Sequence, residues 1–196
     1  MKIGAILAAV AAAILAFGTQ AQERSIVKEV TVKAPVEQVY KAWTTSEGVA
    51  SFFAHEARVE PRSGGLFEVW MNPYAPAGQR GADDMRFLAL QENRMLSFTW
   101  NAPPHLPEAR AQRTVVILRF KPAPEGQTAV TLTHVGWGDG GQWDATYAYF
   151  EKAWPNVLSN LQKRFAEGPI DFTAWRARMK AFQDDEDKKA GRRPQS

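Results

Sequence analysis

The chain has 196 residues, 45% of them hydrophobic, with no Cys and a formal net charge of +3. That length buries one good core and is short for two. The missing Cys excludes a disulfide framework and thiol chemistry, and so small a charge makes no electrostatic case for nucleic acid as a partner.

The first residues read as a secretory signal. Lys2 supplies the positive start, Ile6 to Phe17 an Ala-rich apolar run, and Thr19-Gln20-Ala21 a small-residue cleavage site that leaves Gln22 first in the mature chain. Ile3 to Phe17 falls short of the ~20 apolar residues that span a bilayer, so no stable membrane anchor is expected once the signal is cut. The expected organisation is a signal peptide at 1–21, one domain at 22–170 and a polar extension at 171–196, in a periplasmic or secreted product.

Within the domain, Arg24 to Lys33 ends in alternation, with Val30 and Val32 on one face, which predicts a half-buried strand. Pro35 then opens a short amphipathic helix through Val36, Val39, Tyr40 and Trp43, and Glu47 to Phe53 predicts a second. From Ala57 onward the pattern changes to strands and turns. Arg62-Ser63-Gly64-Gly65 is a hairpin signal, followed by Phe67, Val69 and Met71 on one face. Asn72 to Asp84, rich in Pro, Gly and polar residues, predicts a long exposed loop. Strands are predicted at Arg86 to Gln91, Met95 to Trp100, Arg113 to Lys121 and Thr128 to Val135, with an irregular Pro-rich stretch from Asn101 to Ala111. Turn-length connections imply an antiparallel sheet.

The longest element follows. Trp143, Tyr147, Phe150, Trp154, Leu158, Leu161 and Phe165 recur every three or four residues, the stripe of a helix that lies on something apolar. It is expected to begin after Gly138-Asp139-Gly140-Gly141, to kink near Trp154 because of Pro155, and to stop at Gly168-Pro169. The mixed charges from about Gln183 onward predict a solvated, mobile tail. These elements make an α+β arrangement: a curved antiparallel sheet, two short helices after its first strand and a long helix closing its concave face.

The run from Val30 to Trp43, the Gly64-Gly65-Leu-Phe-Glu-Val strand, the Leu96 to Trp100 strand, the Val130 to His134 strand and the Gly136-Trp137 to Leu161 region resemble the START-like helix-grip superfamily. Within it the resemblance is to the Hsp90-ATPase-activator homologue branch, also grouped with polyketide cyclases, and it covers about Ser25 to Phe165. It implies a sheet of about seven strands gripping the C-terminal helix around a ligand cavity. Members bind apolar molecules, act as cyclases or hydrolases, or contact other proteins.

For the chemistry, three His are present, His55, His105 and His134, without H-E-x-x-H or H-x-H spacing, and no metal or cofactor motif is legible. His134 is in phase with Val130 and Leu132 and is expected to face the interior, first as a hydrogen-bonded core histidine and second as an acid or base. His55 and His105 read as loop residues. The leading expectation is a binding module for a small apolar or amphipathic molecule, with Phe67, Met71, Trp100, His134, Trp137, Tyr147, Phe150 and Trp154 as contacts. The alternatives are a cyclase- or hydrolase-type enzyme using His134 or His55, and a protein-interaction domain of the Hsp90-activator type.

Overall fold

The structure, a computed structural model, describes residues 23–192, so the expected signal peptide lies outside the described residues. Strand β1 (Ile26–Val32) leads into helices α1 (Val36–Thr44) and α2 (Ser46–Ala50). Strands β2 (Glu56–Val59), β3 (Phe67–Trp70), β4 (Gly81–Ala82), β5 (Phe87–Gln91) and β6 (Met95–Trp100) follow. Then come α3 (Pro107–Arg110), β7 (Thr114–Ala123), β8 (Gln127–Val135), α4 (Gly141–Glu167) and α5 (Thr173–Lys189).

Five strands form an antiparallel sheet in the order β1-β8-β7-β6-β5, and three more pair as β2-β3-β4. Backbone bonds join the two across β3 and β5: Gly64 N donates to Phe87 O and Phe87 N to Gly65 O, both at 2.9 Å, and Phe67 N donates to Met85 O at 2.7 Å. The strands thus make one curved surface, the helix-grip arrangement expected, with the two-residue β4 added. Gly65 is required at this junction, because a Cβ there would lie 2.2 Å from Glu60 O.

α4 is one continuous helix with Pro155 inside it, and its Phe150, Trp154, Leu158 and Leu161 are buried against the sheet. From the sheet come Phe67, Phe98, Trp100, Val130 and Leu132, and from the short helices Val39 and Trp43, all buried. Phe67 stacks on Phe98 at 4.1 Å, and Trp100 meets Trp154 at 5.6 Å, so the middle of the grip is solid side chain rather than cavity.

Two expectations about the loops and the tail need correction. Asn72 to Asp84 is not simply exposed, since Ala75, Ala82 and Asp83 are buried and Gly81–Ala82 pairs with β3. Gly81 can do this because its φ of +146° suits Gly, and a Cβ there would meet Val69 O at 2.6 Å. Nor is the stretch from Gln183 a solvated tail: it belongs to α5, and Gln183 and Asp187 are buried. Their burial is tolerated because each has partners. Asn72 Nδ2 donates to Gln183 Oε1 at 3.1 Å, and Gln183 Nε2 and Arg192 Nε both donate to Asp187 Oδ1, at 3.0 and 2.9 Å.

Candidate functional site

Where β3 and β6 leave the sheet, their following loops, residues 71–82 and 101–111, spread apart. α4 supplies the floor of the gap with Tyr149 and Phe150, and α5 covers it from outside, pinned by Trp175 Nε1 donating to Met71 O at 2.9 Å. The chamber between them, partly open to solvent, has a volume of about 550 Å³ and is lined by Met71, Trp100, Tyr149, Phe150, Met179 and Phe182. A smaller one of about 280 Å³ adjoins it, sharing Met71, Trp100, Tyr149 and Phe150 and continuing to Phe53, Trp154, Phe172 and Trp175.

Arg110 staples the two loops together. Its Nη2 donates to Gly78 O and Gly81 O at 2.6 and 2.7 Å, its Nε to Gly78 O at 3.2 Å, and its Nη1 to Ala102 O. Asn101, with its amide oxygen toward this guanidinium, accepts from Nη1 and Nη2 at 3.1 and 3.3 Å. Such a nearly buried Arg is held by carbonyl dipoles that cannot follow it into water, so the loops are fixed in this spacing.

Four of the eight residues expected to contact a ligand meet here. Met71, Trp100 and Phe150 line both chambers, and Trp154 lines the smaller. Phe67, His134, Trp137 and Tyr147 line neither. Phe67 lies in the solid core, and the other three cluster toward the start of α4, against Phe150 and Trp154 but outside the chamber lining. There Trp137 sits 4.2 Å from the His134 ring and 5.1 Å from that of Tyr147, whose hydroxyl donates to Ser25 O at 3.2 Å. Residues of α5 and the two loops, with Tyr149, were missed. The spacing of Trp175, Met179 and Phe182 on one helical face was the signal that could have found α5.

His134 is fully buried, and its ring is committed at both nitrogens. Trp154 Nε1 donates to Nδ1 at 2.9 Å, so the ring proton sits on Nε2 and is donated to Thr114 Oγ1 at 2.7 Å. Thr114 Oγ1 donates onward to Trp100 O at 3.3 Å. Burial pushes the pKa of His134 down to about 3, so it is neutral at any ordinary pH. It joins β8, β7, β6 and α4 and faces no chamber, which is the arrangement of a core histidine rather than of an acid or base.

His55 is not an exposed loop residue, as its side chain is only 4% exposed. It follows Phe52 and Ala54, both core residues, and neither ring nitrogen hydrogen-bonds another described residue. Its Nδ1 is 3.7 Å from Glu56 Oε1, and burial lowers its pKa against the pull of that carboxylate. It lines neither chamber. His105, expected at the surface, is exposed and stands at the rim of the larger chamber, 6.4 Å from the Tyr149 ring.

Comparison with known proteins fits this architecture. Residues 33–166 match the model of the Activator of Hsp90 ATPase homolog 1-like protein family, more than half of the chain. The chain belongs to that family. Among solved structures, protein MLL2253 from Mesorhizobium loti is similar at 23% identity and a TM-score of 0.59, over 75% of this chain and 100% of that one. The Aha1 dimer from Colwellia psychrerythraea shares 20% identity at a TM-score of 0.58, over 74% and 98%. CalU16 from Micromonospora echinospora shares 20% at 0.55, over 84% and 86%. At these identities the likeness is one of fold. No curated protein matches the chain.

Proposed function

We propose that this family member is an exported binding domain that holds a small apolar or amphipathic molecule between the 71–82 and 101–111 loops, α4 and α5. One observation carries the reading: an aromatic chamber of about 550 Å³, within the ~300–1,000 Å³ of small-molecule sites, beside a core that is otherwise filled. Binding is favoured over acid–base catalysis because His134 has both nitrogens engaged away from the chamber and His55 lies outside it. Export rests on the Lys2 to Ala21 pattern.

The test is titration of the mature protein with a neutral fluorescent probe such as N-phenyl-1-naphthylamine. Saturable binding near one to one is expected, weakened at least about tenfold by Ala75→Trp, which places a bulky ring in the chamber wall. Absence of saturable binding would turn the assignment toward a protein-interaction domain of the chaperone-activator type.

A further inference from the structure

At one end of the larger chamber Arg80, Asn101 and Arg110 stand as a partition, with a second, more open cavity of about 620 Å³ on its far side, while Glu186 and Arg192 line the chamber from the α5 side. The acids of this region, Glu68, Asp83 and Asp84, line only the far cavity. Viewed from inside the aromatic chamber, the partition therefore presents two guanidinium groups and no carboxylate. The chamber's acid, Glu186, is on α5 and is paired with Lys189 at 3.0 Å.

The two arginines are not equivalent. Arg110 is saturated by the carbonyls of Gly78, Gly81 and Ala102. Arg80 is anchored from behind: its Cζ lies 3.9 Å from the centroid of the Trp70 ring, and its Nε donates to Asp83 Oδ1 at 2.6 Å. No described residue accepts from its Nη atoms, and these are not among the buried polar atoms left without a partner, so they keep access to solvent where Arg80 lines both cavities. A guanidinium fixed at one edge and open at the other is a preorganised donor to a planar anion, and it binds with little loss of side-chain freedom.

We infer that the molecule held in the chamber is an amphiphile with a terminal carboxylate, its head against the open edge of Arg80 and its tail along Met71, Trp100 and Phe150. This rests on the binding reading above and adds the chemical class of the ligand. The head stays hydrated through the far cavity, which spares most of the cost of burying a charge. The tail takes the aromatic walls.

The experiment measures displacement of the neutral probe by dodecanoate, methyl dodecanoate and dodecylamine, on the native mature chain and on Arg80→Gln. The native chain is expected to prefer dodecanoate over its methyl ester by about tenfold or more, the size of a charge-assisted hydrogen bond, and to bind the amine worst. Arg80→Gln should remove that preference while leaving the ester unchanged. The ester removes the charge from the ligand side, so the native chain alone decides if the variant folds poorly. Equal affinity for acid and ester with the probe still bound, or a preference that survives Arg80→Gln, overturns the carboxylate assignment alone. Failure of the probe and all three competitors to bind overturns the chamber reading with it.

Discussion

Lowering the pH should destabilise this protein through His134 in particular, and the size of the effect follows from its setting. The ring is fully buried, accepts from Trp154 and donates to Thr114, and its pKa is pushed down to about 3. In the unfolded chain the same imidazole titrates near its ordinary ~6.5. The folded state thus favours the neutral form, a stabilisation fully present above pH ~6.5 and lost progressively as the pH falls toward 3. At pH 5, roughly 1.5 units below the unfolded value, the loss is about 2 kcal/mol at ~1.36 kcal/mol per unit. With a urea slope of about 2 kcal/mol/M, the midpoint should drop by about 1 M between pH 7.5 and 5 from this source. His134→Gln keeps an acceptor and a donor but does not titrate, while His55 and the carboxylates contribute equally to both proteins and cancel in the difference. Urea unfolding followed by Trp fluorescence at the two pH values gives the comparison. Equal losses in the native chain and the variant would mean that His134 takes up its proton in the folded state, and the Trp154–His134–Thr114 chain would have to be abandoned.

Trp154→Ala should cost about 3–5 kcal/mol, since it removes a fully packed ring and leaves His134 Nδ1 without its donor, whereas the exposed Lys163→Ala should stay within about 0.5; chemical denaturation of the pair checks both. Trp175→Ala deletes the bond from α5 to Met71 O and a wall of the smaller chamber, so probe dissociation in stopped flow should quicken several-fold with the denaturation midpoint little changed. N-terminal sequencing of the native product should begin at Gln22, and recovery of Met1 from a membrane fraction would contradict the proposed processing.

Much of this fold is legible residue by residue, because periodicity reports which face of an element is buried. Val130, Leu132 and His134 alternate in the sequence and are all buried in the structure, and the stripe from Phe150 to Leu161 is the buried side of α4. Periodicity does not report position along a groove, and this is why the candidate site was only half legible. The sequence pattern puts Phe67 and Met71 on one strand face, yet β3 ends at Trp70, and four residues at ~3.3 Å each separate the two by up to about 13 Å. That distance puts Phe67 in the solid stack and Met71 at the chamber. The same limit hides Arg110, whose role depends on carbonyls of a loop about thirty residues away in sequence.

α5 was obscured by its charges. Trp175, Met179 and Phe182 lie on one face, but acidic and basic residues crowd around them, and the helix's most buried residues, Gln183 and Asp187, are polar. Polar residues bury only where partners exist, and the partners here are Asn72 in a distant loop and Arg192 beyond the helix end. This matters for function because the family match ends at residue 166, inside α4, before α5 begins. The floor and the loop walls of the chamber come from the matched segment, while its outer wall does not. What the family shares can therefore account for a gap at the end of the grip. Its covering must be explained from α5 itself, from the Trp175 bond to Met71 O and the Asn72–Gln183 bond that hold the helix against the 71–82 loop.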